Sequence, residues 1–385
     1  MTNFQANVPG MSVINNPAAP AVDDSVNTHF PRRKSRQVKV GDVTVGGGAP
    51  VSIQTMTKTK TADVKATVDQ IFRCKDAGAD IIRITVNNKA ATEAIGEIVK
   101  QSPLPIVADI HFNYLFALKS IEAGVAKVRI NPGNIGKVER IQKVLSAAKE
   151  RGIPIRIGVN SGSLEQDILE KHGYPTAEAL FESAMRHANI ALDNNFEDII
   201  ISVKSTSVPL MISAYRLIAE RTDFPLHLGV TEAGLPGYGT IKSAVGIGTL
   251  LAEGIGDTIR VSLTDEPERE IELGTDILRS LGLAQRNVEI IACPTCGRLD
   301  VDLFGITRKI EAEVKRRGIK KPMTVSILGC AVNGPGEAKE ADIGVAAGKG
   351  QGILFKKGIQ TRVVKEEDIF EELMKEIEAF EPEVK

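Results

Sequence analysis

The chain has 385 residues, 42% hydrophobic and 25% charged, an ordinary composition for a soluble globular protein and a length that suits two or three domains. A formal net charge of −1 gives no global basic field for nucleic acid or an anionic membrane. No apolar run reaches the roughly 18 residues that span a bilayer, so a cytoplasmic protein is expected and any anion site must be built locally.

Residues 1–30 are rich in Asn, Pro, Ala and Ser, contain Asp23 and Asp24, and have no Lys or Arg. That pattern fits neither a secretory signal nor an organelle transit peptide, and predicts a disordered N-terminal extension. Two short strands follow, Arg36–Val40 and Asp42–Val45, joined by Gly46-Gly47-Gly48 to the rest of the chain. They read as a hairpin placed to plug the bottom of whatever comes next.

From Ala49 to Leu283 short β-branched runs alternate with helical patterns. The strands are Val51–Met56, Asp80–Val86, Pro105–Ile110, Ala126–Asn131, Pro154–Asn160, Asp198–Lys204, Pro225–Thr231 and Asp257–Leu263. Helices between them include Val64–Ala77, Asn134–Arg151, Thr176–Asn194, Val208–Arg221 and Thr240–Glu253, with Thr275–Gln285 as the last helix and linker. Eight βα units over residues 31–284 predict an α/β fold, a (β/α)₈ TIM-type barrel, with an open doubly wound sheet as the alternative. Residues 285–385 then read as a small α+β domain. Its strands are Val288–Ala292, Thr324–Leu328, Ile343–Ala347, Gln351–Lys356 and Thr361–Val364, and its helices Leu303–Arg317 and Glu366–Phe380.

Active sites of such barrels lie at the C-terminal ends of the strands, where residues i and i+2 share a face. Those ends carry Gln54, Arg83 with Thr85, Asp109 with His111, Arg129 with Asn131, and Arg156 with Asn160. They continue with Ser202 and Lys204, Thr231 and Glu232, and Arg260 and Ser262. Five cations, Arg83, Arg129, Arg156, Lys204 and Arg260, thus point at one mouth, and burying like charges calls for a counter-anion. Guanidinium forks suit phosphate oxygens, so a substrate with more than one phosphate is expected. The opposing reading pairs each Arg with a carboxylate, Asp109 and Glu232 being available. The turns Asn131-Pro132-Gly133-Asn134 and Asn160-Ser161-Gly162-Ser163 add backbone N–H groups, a weak signal by itself. Glu232, beside cations and a bound polyanion, is placed either as a general acid or as a structural partner of an Arg.

Three of the four cysteines, Cys293, Cys296 and Cys330, fall in the last quarter, two with C-x-x-C spacing. Thiolates at two strand ends suit a metal or iron–sulfur cluster. A fourth ligand is open among water, substrate, Glu337 and Cys74; Glu337 shares a loop with Cys330, whereas Cys74 sits in a helical pattern as core filler. A zinc-stabilised domain is the competing reading, although no His occurs after residue 284.

The stretches VSIQTM (Val51–Met56), VADIHFNY (Val107–Tyr114), KVRINPGNIG (Lys127–Gly136), RIGVNSGSLE (Arg156–Glu165), GVTEAG (Gly229–Gly234), IRVSLTDEP (Ile259–Pro267), CPTCGR (Cys293–Arg298) and GCAVNGPGE (Gly329–Glu337) resemble a known family. It is that of the bacterial, flavodoxin-dependent 4-hydroxy-3-methylbut-2-enyl diphosphate synthases of the non-mevalonate isoprenoid pathway. The resemblance implies a barrel followed by a cluster domain similar to a sulfite-reductase repeat. It implies reductive ring opening and dehydroxylation of 2-C-methyl-D-erythritol 2,4-cyclodiphosphate, with a [4Fe-4S] cluster on Cys293, Cys296, Cys330 and Glu337. By the matched motifs Arg83, Arg129, Arg156 and Lys204 would hold the diphosphate, helped by Asn131, Asn160 and Ser262. Asp109 would lie near the substrate, and Glu232 would donate a proton. A homodimer with an active site shared between subunits, and flavodoxin or ferredoxin as electron donor, are also implied. Alternatives are another phosphate-binding barrel enzyme with a zinc-stabilised appendage, and a zinc-ribbon-like nucleic-acid module. The latter lacks a basic footprint, because Glu366–Glu383 is strongly acidic.

Overall fold

The structure is a computed structural model that describes residues 30–130, 138–285, 287–297, 299, 301–330, 336 and 338–382. The first of its two compact units ends at Ala284, and the second begins at Gln285. The expected barrel followed by a smaller α+β unit is what the chain forms.

In the first unit β1 (Val38–Val40) and β2 (Val43–Val45) form an antiparallel hairpin. Eight parallel strands follow: β3 (Ser52–Met56), β4 (Ile81–Thr85), β5 (Ile106–Ile110), β6 (Lys127–Ile130), β7 (Ile155–Asn160), β8 (Ile199–Lys204), β9 (His227–Leu228) and β10 (Thr258–Ile259). Their order, β8-β7-β6-β5-β4-β3-β10-β9, is closed by a parallel bridge between Ile201 and Leu226. The regular pairing of β9 and β10 is only two residues long, against seven expected for each. Side-chain bonds hold that seam instead. The Tyr215 hydroxyl accepts from Val203 N at 3.2 Å and donates to the carbonyl of His227, and Asp257 accepts from Leu226 N at 2.8 Å.

Alternation along the strands separates two cores. Ile53, Ile82, Ala108, Val128, Ile157, Ile201, Leu228 and Ile259 face outward and pack under the helices in one continuous apolar cluster. Inward, Ile81, Val107 and Ile200 meet Val38, Val40 and Val45 of the hairpin. The hairpin therefore closes the N-terminal end of the barrel with apolar side chains, as its position in the sequence suggests.

One boundary differs from expectation. The last barrel helix is Pro267–Ser280, not Thr275–Gln285. Proline at its first turn and Glu268 and Glu270 beside the positive end of its dipole favour that start. Gly274 in its middle brings the helix against the barrel: a Cβ there would sit 3.5 Å from Ile53 and Ile259.

The second unit is a five-stranded sheet ordered β11-β12-β13-β14-β15. Strands β11 (Val288–Ala292), β12 (Met323–Leu328) and β13 (Ile343–Gly348) are parallel. Strands β14 (Gln351–Lys356) and β15 (Ile359–Lys365) return antiparallel. Helices Leu303–Arg317 and Ile369–Ala379 contribute Ile306, Ile310, Leu373 and Ile377 to the core with Val325, Ile327, Ile343 and Val345. Among the described residues no helix is long and apolar enough to cross a membrane.

Candidate active site

Every inward position of the barrel above the plug is polar, glycine or Met56, and the strand parity dictates which side chains meet there. Asp109 on β5 is fully buried and is the hub. Its carboxylate accepts from Arg83 on β4 at 2.8 Å and from Arg129 on β6 at 3.2 Å, and His111 lies 3.7 Å away. Burial alone would favour the neutral acid. The guanidiniums of Arg83 and Arg129, with His111 and Arg156 further out, overcome this and hold the carboxyl well below its usual range.

Two glycines make room for the cations. A Cβ at Gly158 of β7 would lie 2.7 Å from Arg129 Nε, and one at Gly229 would lie 2.7 Å from Lys204 Nζ. Neither position stands out in the sequence, because Gly158 and Gly229 occupy the inward places where neighbouring strands carry charge.

Arg156 and Lys204 differ from Arg83 and Arg129. They are 1% and 7% exposed, and neither has a hydrogen-bond or ion-pair partner among the described residues. Burial pushes the Lys204 ammonium well below its ordinary range, and Arg260, Arg156, Arg83 and Arg129 add to the effect. Arg260 is held at about 10 by burial first and Arg83 second, against the opposing pull of Glu270 at 3.8 Å.

Glu270 is a member that the strand-end rule misses, since it comes from a helix. It is 2% exposed and accepts from Thr55 Oγ1 at 2.8 Å and from Leu263 N at 3.0 Å. Lys58, just past β3, donates to Leu263 O at 3.2 Å and lies 3.7 Å from Glu270. It adds a further cation. Lys127, two residues before Arg129, is a deeper one and is completely buried. The same i, i+2 rule that found Arg129 finds Lys127 when run backwards along the strand.

Asn160 ends β7 and Ser262 lies three residues past β10, both half-buried. The turn after Asn160 is tied down twice. Ser161 Oγ bonds Ser205 Oγ at 3.2 Å, and Glu165 is clamped by His187 at 2.6 Å and Ser183 at 2.8 Å. Asn131 lies outside the described residues. Glu232 is exposed, adopts a left-handed backbone with φ of 51°, and makes no hydrogen bond or ion pair among the described residues. That arrangement does not support a structural partnership with an arginine and leaves the carboxyl free to meet a ligand.

In the second unit Cys293 follows β11 directly, and its N–H donates to Ile327 O of β12 at 3.0 Å. Cys330 comes two residues after β12 ends, so the parallel pairing brings both cysteines to one edge of the sheet. Thr295, with φ of 67°, turns the chain between Cys293 and Cys296 and donates its N–H to Cys293 Sγ at 3.4 Å. Cys293 and Cys330 are half-buried and Cys296 is exposed. Cys74 is fully buried in helix Val64–Ala77, where burial pushes its thiol up to about 12; it is core filler in the barrel. Among the described residues no three His, Cys, Asp or Glu side chains are gathered tightly enough to hold a metal ion, and Glu337 lies outside them. The donor set itself, three sulfurs on adjacent strand ends without histidine, fits a sulfur-bound iron group better than a structural zinc.

Residues 35–275 match the GcpE TIM-barrel domain, and residues 289–379 match the GcpE protein C-terminal domain. The chain belongs to the GcpE family. It is 55% identical over 347 residues to the 4-hydroxy-3-methylbut-2-en-1-yl diphosphate synthase (flavodoxin) of Clostridium perfringens, covering 90% of this chain and 99% of that one. The protein of the same name from Caldanaerobacter subterraneus is 55% identical over 349 residues, 90% of this chain and 97% of the relative. That of Bacillus cytotoxicus is 52% identical over 353 residues, 92% and 95% of the two chains. The chain is therefore aligned with these relatives across barrel and C-terminal unit alike.

Proposed function

We propose that this chain forms 4-hydroxy-3-methylbut-2-en-1-yl diphosphate from 2-C-methyl-D-erythritol 2,4-cyclodiphosphate, as an oxidoreductase of isoprenoid precursor biosynthesis. The observation that carries this reading is the surplus of buried positive charge at the barrel mouth. Arg83 and Arg129 share one carboxylate, while Arg156 and Lys204 have no partner of their own among the described residues. A diphosphate neutralises such a set, and the preformed donors stabilise the charge that develops on the phosphate oxygen released when the ring opens. Asn160, Ser262 and Arg260 add hydrogen-bond donors around it, Asn131 is assigned with them by the family resemblance alone, and Asp109 orients the two arginines. Removal of the hydroxyl takes up two electrons and two protons and releases water. Glu232, exposed after β9, is the proton donor in this reading.

Cys293, Cys296 and Cys330, with Glu337 as a displaceable fourth donor, would hold a [4Fe-4S] cluster. When bound, such a cluster supplies electrons singly to the site. The relatives' names point to flavodoxin as the reductant, and ferredoxin fits the same role. A homodimer completes the proposal. Its support is an apolar stripe, Tyr238, Ile241 and Val245, exposed along one face of helix Tyr238–Ala252. No membrane or nucleic-acid partner is proposed.

The test is anaerobic purification with iron and sulfide analysis, followed by turnover of the cyclic diphosphate. Iron with acid-labile sulfide and a Glu232→Gln variant slowed by about 10²-fold or more are expected. Zinc without sulfide would overturn the cofactor, and Lys204→Ala and Arg156→Ala variants with unchanged KM and kcat would overturn the clamp.

A further inference from the structure

We propose that the barrel interior, one tier beneath the mouth, is a site for a small inorganic anion of halide size, held by Lys127, Arg156 and His227 with the hydroxyls of Ser52 and Thr258. This site shares Arg156 with the phosphate clamp and in that respect rests on the proposed function.

The first inward residue on each of these strands defines the tier. In the ladder His227 of β9 stands beside Thr258 of β10, which stands beside Ser52 of β3. Across the barrel Lys127 of β6 precedes Arg129 by two residues, and Arg156 of β7 is paired with Arg129. All five are at most 4% exposed. The Oγ of Ser52, the Nζ of Lys127, the Nε and Nη1 of Arg156, both ring nitrogens of His227 and the Oγ1 of Thr258 have no hydrogen-bond partner among the described residues. Both amide atoms of Gln54, one step above Ser52, share that state. So many orphaned polar atoms in one buried layer indicate an occupant, since each is otherwise costly.

The chemistry of the layer selects the occupant. Its groups are mostly donors, two of them cationic in type, and it contains no carboxylate. Asp109, the nearest acid on the inward face, is already bound by Arg83 and Arg129. Water would satisfy the geometry, but burial first, then Arg156 and Arg83, pushes the Lys127 ammonium well below its ordinary range, and water does not restore its charge. An anion does both. The hairpin lies below the tier with Val38, Val40 and Val45, and the arginines at the mouth lie above it, which argues for a compact ion over a phosphate ester. Burial first, then Arg156, Lys204, Lys127 and Arg83, keeps His227 neutral, so it offers one N–H to the ion without adding charge.

The probe is bromide. Crystals of the full chain grown in sodium bromide, measured at the bromine edge, should show an anomalous peak within hydrogen-bond reach of Lys127 Nζ and His227. In solution the melting temperature in bromide or chloride should exceed that in a bulky organic anion at equal ionic strength by about 2–4 °C or more. Lys127→Met should abolish that increment; if it does not fold, Ser52→Ala and Thr258→Val should reduce it. Water alone at this level, a bromide peak only among the mouth arginines, or a halide increment that survives Lys127→Met would each overturn the proposal.

Discussion

Gly158 decides where Arg129 can lie. The guanidinium occupies the space that any side chain on Gly158 would fill, and from there it reaches both Asp109 and the carbonyl of Gly158, the latter at 3.5 Å. Gly158→Ala should therefore displace Arg129 without unfolding the barrel. Titration calorimetry with inorganic diphosphate should show binding weakened by about 1–3 kcal/mol, the worth of a hydrogen bond to a charged group. Asp109 gives a pH prediction. Its folded carboxyl titrates below the ordinary value of about 3.9, so the stability it contributes is present above that pH and disappears as pH falls through the folded value. Asp109→Asn should lose about 3–5 kcal/mol near neutrality, and its deficit against the natural protein should shrink below about pH 4 in denaturant titrations. At this scale the sequence is legible where a charge interrupts an apolar strand near its end, as at Arg83, Arg129 and Lys204, whereas Arg156, expected with them, is the second residue of β7. Lys127 and His227 follow the same parity but sit at strand starts, where the barrel rule does not look. Gly158 and Gly229 matter through an absence, and a missing side chain carries no signal without its neighbour.

At the scale of elements, helix Pro267–Ser280 does more than cover the barrel. Its Glu270 reaches between β3 and the end of β10 and fixes Thr55, Leu263, Lys58 and Arg260 together. Glu270→Ala leaves Leu263 N–H and the Thr55 hydroxyl without their acceptor and removes the counter-charge of Arg260. A loss of about 2–4 kcal/mol by chemical denaturation is expected, together with weaker diphosphate binding. Reading this helix as beginning at Thr275 hides Glu270 in a loop, and Gly274, just before that start, packs closely against Ile53 and Ile259. Helices Val64–Ala77 and Val208–Arg221 were legible to the residue because Asp63 and Ser207 cap their first turns with side-chain hydrogen bonds. Strands β9 and β10 were legible in place but not in length, since the seam they form is held by Tyr215 and Asp257 rather than by backbone pairing.

For the whole molecule the charge balance is the governing quantity. A net charge of −1 conceals a barrel whose interior is strongly positive and whose acids lie mainly elsewhere. Burial first, then the neighbouring arginines, disfavours the charged forms of Lys204 and Lys127, a cost that a bound anion offsets. Inorganic diphosphate at about 100 times its dissociation constant should raise stability by about 2.7 kcal/mol in a thermal shift assay. An Arg156→Met variant should show a smaller rise. Cysteine spacing made the second unit's sulfur edge legible, whereas Glu337 and Asn131, which lie outside the described residues, rest on family resemblance. One feature of the barrel also bears on traffic. With Val38, Val40 and Val45 corked into one end, the vessel has a single door. Whatever is made inside leaves by the way its precursor came, so product still lodged in the barrel bars the next substrate.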